Sequence, residues 1–389
     1  MEPYISGEKV PAISLQGERY LAFLPTQMRT NIAWQDPQVY TLLEEAGRYL
    51  GELNAYSKLV PEIDYFIESH VAKEAEQSSR IEGTQTTLEE VYLDAEDLEE
   101  EDKINDQKEV LNYIDAMNKS IEKMLAPNQP PLSIRLMCEA HKALLAGVRG
   151  HNKNPGRIRT TQNKIGGSKT LTLADATFIP PRPEDVEPAL ADLERFWHNN
   201  DTQMPNLIKV AYAHYQFETI HPFDDGNGRI GRLIIVLQLM SYGMLERPVL
   251  YLSEYLEKNR QAYYDALMAV REHNNLEQWV KFFLIGIRET SKKGRGVLEA
   301  TIDLRNEYEK RILRTPSASR QKHMRKLLAH LYRKPVITAK EVETLLGVSK
   351  PTSHSIVNEL EQVKILKEKT EMERHRVYTL HEYLGLFNN

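Results

Sequence analysis

Apolar residues return at three- and four-residue steps from Gln35 to about Leu125, and the period resumes at Asp185 and runs to about Glu299. That spacing gives each segment one buried face as a helix and none as a strand. Tyr40-Thr-Leu-Leu-Glu-Glu-Ala-Gly-Arg-Tyr-Leu-Gly shows it clearly, and a helix around Ser133 to Leu145 follows. The chain is therefore expected to be mainly α. One stretch has a different grammar: His151-Asn-Lys-Asn-Pro-Gly-Arg-Ile-Arg-Thr-Thr-Gln-Asn-Lys-Ile-Gly-Gly-Ser is rich in Gly, Asn and β-branched residues. Residues 157–179 are read as an irregular loop carrying a short β-hairpin, closed by Pro180, Pro181 and Pro183. The helical pattern also breaks at His221 to Gly228 and near Arg247-Pro248. Residues 1 to about 30 read as an extended N-terminal arm.

A chain of 389 residues exceeds one ordinary core, so two or three domains are expected. Its 41% hydrophobic and 27% charged residues exclude a disordered or fibrous chain. A net charge of −6 names no partner by itself. The single cysteine, Cys138, rules out an internal disulfide and a cysteine-rich zinc site, and it reads as a buried structural thiol. Met1-Glu-Pro-Tyr-Ile-Ser-Gly-Glu-Lys has no apolar signal region, and Leu233 to Leu245 is too short and interrupted to span a bilayer. A cytoplasmic location without membrane attachment is the expectation. The acidic run Asp94 to Asp102 reads as a solvated helix end or surface loop. Residues 311–389 hold 15 Lys/Arg against 8 Asp/Glu, while the remainder holds 35 against 48. That charge step marks a separate domain, with its boundary near Arg314-Thr-Pro-Ser-Ala-Ser.

The string His221-Pro-Phe-Asp-Asp-Gly-Asn-Gly-Arg-Ile-Gly-Arg232 carries the chemistry. Asp225, Gly226, Asn227 and Gly228 favour turns, and the apolar run from Ile230 supplies a helix. Backbone N–H groups at such a helix start lack partners and suit a phosphate. Arg229 and Arg232 lie three apart near that end, and two guanidiniums there suit a polyphosphate. Asp225 is a carboxylate that can hold Mg²⁺ together with substrate phosphates. His221 is the residue type that takes a proton from a hydroxyl near neutral pH. Together these parts meet the needs of transfer to a phosphorus centre. A Walker-type site is excluded, because no Gly-Lys-Ser/Thr follows the glycines.

All twelve positions match the signature of the Fic family, HPFx(D/E)GNGRxxR, and the chain resembles that family on this ground. The resemblance implies a Fic-type helical core and an adenylyltransferase. His221 would be the general base, Asp225 the Mg²⁺ ligand and Phe223 a core anchor. Asn227 with Gly226 and Gly228 would bind the α-phosphate, and Arg229 and Arg232 the outer phosphates. The hydroxyl of a Tyr, Thr or Ser on a protein target, or on the chain itself, would attack the α-phosphorus of ATP. The region of Asn163, Lys164, Ile165 and Gly166 occupies the place of the family's flap, which holds a target segment by strand pairing. Tyr255-Leu-Glu-Lys-Asn-Arg-Gln-Ala-Tyr-Tyr264 resembles the adenine-side helix, with Asn259 as a candidate contact.

Upstream, Ser78-Ser-Arg-Ile-Glu82-Gly83 places Ser78 and Glu82 on one face of a helix that Gly83 ends. This fits the family's inhibitory pattern (S/T)xxxE(G/N). The resemblance implies that Glu82 pairs with Arg232, denies it to the γ-phosphate, and leaves ATP misaligned.

In the tail, the string from Ile337 has helix-turn-helix grammar: a short amphipathic helix ends at Leu346, Gly347-Val-Ser makes a turn, and a second helix starts near Pro351. Two alternating segments from Ile365 and Arg374 complete the grammar of a winged helix. Lys350, Thr352, Ser353 and His354 are candidates to face a major groove, while Glu359 and Glu361 on the same helix disfavour DNA. DNA contact, protein contact and homodimerisation therefore stand side by side. The expected division is an arm and helical region with the inhibitory motif over 1–125, a Fic catalytic core over 126–300, and a winged helix over 311–389. The alternative is a nucleotide-sensing, DNA-binding transcriptional regulator, against which the intact His221 argues. De-AMPylation and transfer of another group are lesser variants of the same chemistry, and a toxin fits poorly with a brake built into the chain.

Overall fold

The computed structural model describes residues 4–14, 17–60, 63–98, 100–127, 132–166, 172–173, 176–199, 204–369 and 376–388. Its architecture is mainly helical. In the arm, β1 (Gly7–Ile13) and β2 (Arg19–Pro25) form an antiparallel hairpin, with Gly7 opposite Pro25 and Ile13 opposite Arg19. A long outer helix, α1 (Gln38–Leu59), buries Val39, Leu42, Ala46, Leu50 and Leu53. That three- and four-residue spacing lays one stripe along α10 (Leu276–Leu313), which bears its own stripe from Leu276 through Trp279, Phe283 and Ile287.

The centre is built differently. α6 (Asn206–Ile220) and α7 (Asn227–Ser241) are buried around nearly their whole circumference, which is how a helix looks when neighbours enclose it. Around them stand α2 (Asp64–Ile81), α3 (Glu101–Leu125), α4 (Ile134–Leu144), α5 (Pro183–His198), α8 (Ser253–Lys258) and α9 (Arg260–His273). α2, α3, α4 and α6 all meet α7, so the start of α7 lies where several helices converge. The acidic run at 94–102 becomes a 3-10 turn over Ala95–Asp97 and the first residues of α3.

The expected short hairpin appears as one antiparallel bridge, Ile165 to Phe178, while residues 167–171 and 174–175 lie outside the described residues. The arm sits beside it, since the Phe23 N–H donates to the Ile179 carbonyl. Cys138 is half-buried, and burial raises its thiol above the usual range.

α10 is unbroken through residue 300 and ends at Leu313, next to the expected boundary. Beyond it come α11 (Ala318–Leu331), β3 (Val336–Thr338), α12 (Ala339–Leu346), α13 (Lys350–Gln362), β4 (Lys367–Glu368), β5 (Val377–Thr379) and α14 (His381–Gly385), with the strands ordered β3-β5-β4. Thr338 and Glu341 form a reciprocal cap on α12, and Gly347 ends that helix at φ +67. Lys350 and His354 are exposed on α13, but Ser353 is fully buried. Its hydroxyl donates to the Lys350 carbonyl, which withdraws it from the expected outer face. Glu359 is engaged by Ser355 and lies 3.5 Å from Arg320. This C-terminal unit rests on the first half of α2, through Phe66 against Tyr332 and His70 against Phe387. No described helix is long and apolar enough to cross a membrane.

Candidate active site

His221 ends α6 in the left-handed region, at φ +50. That conformation is uncommon for a residue with a Cβ and needs support from its surroundings. The support is visible. Buried Arg159 donates to the carbonyls of His221, Ile220 and Pro181, and its own N–H donates to the Pro222 carbonyl. Asn163 Nδ2 donates to the carbonyls of His221 (3.1 Å) and Phe223 (3.0 Å). Asn227 clamps the same loop, its Oδ1 accepting from the Phe223 N–H and its Nδ2 donating to the Phe223 carbonyl, both at 2.8 Å.

The loop's carbonyls are thus taken up by side-chain donors, and α7 starts directly after it. Gly226, at φ +78, precedes the helix, and Asp225 Oδ1 accepts from its N–H at 2.6 Å. No acceptor among the described residues takes the backbone N–H groups of Asn227, Gly228 or Arg229. Unpaired donors at a helix N-terminus are of the kind that suits an anion. Asn227 thus spends its side chain on the loop and offers a ligand only its backbone.

His221 is half-buried. Its Nδ1 is enclosed while Nε2 is not. Burial, with the nearby guanidiniums of Arg271 and Arg159, pushes its pKa down to about 3. The ring is therefore neutral near pH 7. Phe223 is fully buried and stacks on His141 at 3.8 Å. The Gly156 N–H donates to His141 Nδ1, so Nε2 carries the hydrogen that reaches the Asp225 carbonyl at 2.9 Å. Burial lowers this histidine to about 4.

Both motif arginines are almost wholly buried and both are paired. Arg232 donates from Nη2 to Glu82 Oε1 at 2.7 Å, from Nε to Ser78 Oγ at 2.9 Å, and from Nη2 to the Ser78 carbonyl at 2.9 Å. Glu82 caps the end of α2, and Gly83 follows at φ +107. Burial alone would raise the Glu82 carboxyl, but Arg232 outweighs it and holds the group below the usual range. Burial likewise opposes the Arg232 charge, and Glu82 reverses that effect. A Cβ on Gly228 would come within 2.5 Å of Glu82 Oε1, so the lack of a side chain there admits the carboxylate. Arg229 Nη1 donates to Glu109 Oε2 at 3.0 Å, and its Nη2 lies 3.9 Å from Asp225 Oδ1.

Asp225 is more than a third exposed, and its Oδ2 makes no hydrogen bond among the described residues. Such a carboxylate fits Mg²⁺, which takes one or two protein oxygens and completes its shell with water and phosphates. Among the described residues no cluster of three His, Cys, Asp or Glu side chains is placed to hold a metal ion.

The remaining sequence candidates lie around this centre. Lys164, Ile165 and Gly166 continue from Asn163 into the bridge with Phe178. Asn259 sits between α8 and α9 and donates to the Tyr255 carbonyl, and no described bond links it to the motif loop. Tyr263 is buried and hydrogen-bonded to His214 Nε2. Sequence reasoning missed Glu109, His141, Arg149, Arg159 and Arg271. None carries a spacing signature, and each acquires its part through contacts with residues far along the chain.

Two family models match the chain, the Fic/DOC family N-terminal region over residues 40–122 and the Fic/DOC family over residues 131–239. Protein adenylyltransferase Fic of Culex quinquefasciatus is 29% identical over 180 residues, covering 46% of this chain and 32% of that protein. Protein adenylyltransferase fic-1 of Caenorhabditis elegans is 30% identical over 183 residues, with the same coverage. The chain thus matches about a third of the length of these curated relatives. Among solved structures, a Fic family protein from Desulfovibrio desulfuricans G20 superposes with a TM-score of 0.57 at 20% identity, covering 90% of this chain and 98% of that one. Residues 134–508 of Fic-1 from C. elegans give 0.52 at 22% identity, covering 68% and 74%. At these identities the structural likeness speaks to the fold alone.

Proposed function

Because the chain carries the N-terminal and Fic domains of the Fic/DOC family, we propose that it is a protein adenylyltransferase held in check by its own Glu82. The observation that carries this reading is the start of α7, where three free N–H groups and two arginines adjoin a neutral histidine. Such a site fits phosphoryl-centre chemistry with a hydroxyl nucleophile.

In the proposed reaction, a Tyr, Thr or Ser hydroxyl of a target protein, or of the chain itself, approaches His221 Nε2. The oxygen attacks the α-phosphorus of ATP, the proton passes to His221, and the bond to pyrophosphate breaks. The free N–H groups at Asn227 to Arg229 would stabilise charge on the α-phosphate, and Arg229 and Arg232 would hold the outer phosphates. Asp225 would hold Mg²⁺, which supplies charge neutralisation on the phosphates when bound. Asn259 would contact the adenine side. Asn163, Lys164, Ile165 and Gly166 would present backbone to an extended target segment.

Glu82 occupies Arg232 and adds negative charge where a γ-phosphate would lie. Ser78 supports the arrest by holding the same guanidinium through Oγ and carbonyl. ATP then binds with its α-phosphorus misplaced for attack.

The chemistry is tested by giving the Glu82→Gly protein ATP labelled at either the α- or the γ-phosphate. The proposal expects stable label on protein from the α-position only, and none from Glu82→Gly/His221→Ala. Retention of γ-label would assign a kinase reaction instead. Undiminished α-label in the His221 variant would remove that residue from the mechanism.

A further inference from the structure

Arg149 lies in the turn after α4 and is absent from the motif, yet two hydrogen bonds and the position of the next residue place it at the site. Its Nη2 donates to Glu109 Oε2 at 3.3 Å, the same oxygen that accepts from Arg229 Nη1 at 3.0 Å. The same nitrogen donates to the backbone carbonyl of Glu82 at 3.3 Å. The next residue, Gly150, has φ +87, and a Cβ on it would stand 2.8 Å from Asp225 Oδ2. The turn therefore presses against the motif carboxylate while its arginine shares a carboxylate with the first motif arginine.

The three guanidiniums differ in what they have to offer. Arg229 and Arg232 are 1% and 2% exposed, and carboxylates hold both. Arg229 Nε is buried without a hydrogen-bond partner, so the site contains a donor with no acceptor among the described residues. Arg149 has a side chain 56% exposed and uses one nitrogen in two long bonds, with Nε and Nη1 making none among the described residues. It is tethered at one corner and open at the other two. A planar guanidinium in that state is a ready donor to phosphate oxygens.

We infer that Arg149 is a third guanidinium of the polyphosphate site and contacts the terminal phosphates of bound ATP, an assignment that rests on reading the start of α7 as the ATP site. Glu109 acts as its positioning residue, since one of its oxygens accepts from both Arg149 and Arg229. The second anchor, the Glu82 carbonyl, is backbone and persists when the Glu82 side chain is removed. Arg149 is thus available in the released enzyme.

The test is calorimetric titration of Glu82→Gly and Glu82→Gly/Arg149→Ala with ATP, ADP and AMP in the presence of Mg²⁺. Loss of charge-assisted bonds should weaken ATP binding about tenfold and leave AMP binding unchanged. Arg149→Lys in the same background should recover part of the loss, since it keeps the charge without the fork. Unchanged ATP affinity in the alanine variant overturns the assignment. Equal weakening of AMP also overturns it, because Arg149 would then shape the pocket rather than touch the outer phosphates. With Glu82 intact, Arg149→Ala should not raise AMP transfer, and a rise would make Arg149 a latch on the end of α2 instead. If Glu82→Gly binds none of the three nucleotides, the adenylyltransferase reading itself fails, an outcome distinct from those above.

Discussion

Replacing Glu82 by Gln keeps its shape and removes the charge that neutralises Arg232. Breaking a fully buried ion pair by deleting one partner costs about 3–5 kcal/mol, whereas an exposed pair contributes about 0.2–1 kcal/mol. The geometry sets the case between those limits. Arg232 is 2% exposed, but the Glu82 side chain is 33% exposed, and Ser78 continues to accept two hydrogen bonds from the guanidinium. A loss of about 2 kcal/mol is expected. With about 2.1 cal/mol/K of unfolding entropy per residue, a chain of this length should melt roughly 2–3 °C lower. ATP should reverse the deficit. At about one hundred times its Kd a ligand adds about 2.7 kcal/mol, and the variant frees the arginine that ATP needs. Scanning calorimetry with and without Mg²⁺-ATP would show Glu82→Gln below wild type in buffer and level with or above it in nucleotide. Equal melting in buffer, with no larger shift from ATP than wild type shows, would refute the view that this pair occupies a nucleotide subsite.

Other consequences follow from the buried groups. Asn227→Ala should cost about 1–3 kcal/mol by unpairing the Phe223 backbone, and in the Glu82→Gly background it should lower kcat more than it raises KM for ATP. Burial raises Glu218 to about 7, so this group favours the folded state below its ordinary carboxylate range and opposes it as pH rises through about 7. Glu218→Gln should therefore stabilise the protein above pH 7 and lose that advantage toward pH 4.5, as pH-dependent urea titrations would reveal. His221, at about 3, keeps its base form in mildly acid solution, so transfer by Glu82→Gly should show no titration near the ordinary histidine value of 6.5 in its pH–rate profile. Stability runs the other way for His70, His141, His214 and His221. Their folded values are depressed, the unfolded chain takes up protons first, and their contribution fades as pH falls below about 6.5.

Much of this site was legible from residue order, because its parts lie within one loop and one helix. A Gly-Asn-Gly turn feeding an apolar run specifies a helix start, and Ser78, Glu82 and Gly83 specify a helix end. The helices were legible for the same reason, down to Gly347 ending α12. What stayed hidden depends on distance along the chain. Glu109 meets Arg229 across 120 positions, and Arg232 meets Ser78 across 154. Arg159 appears in sequence as one more basic loop residue, and only burial reveals that it holds the carbonyls beneath His221. Ser353 shows the converse error. Its place near a helix start suggested an outward hydroxyl, but the helix turns that position into the core.

If the Glu82–Arg232 ion pair holds a complete site shut, its removal should show in initial rates of α-phosphate label transfer to protein, wild type beside Glu82→Gly, at equal ATP and Mg²⁺ with folding verified. Transfer should be slow in wild type and rise severalfold or more in the variant. Equal rates in the two, with ATP bound by both, would mean that the pair does not hold the site shut.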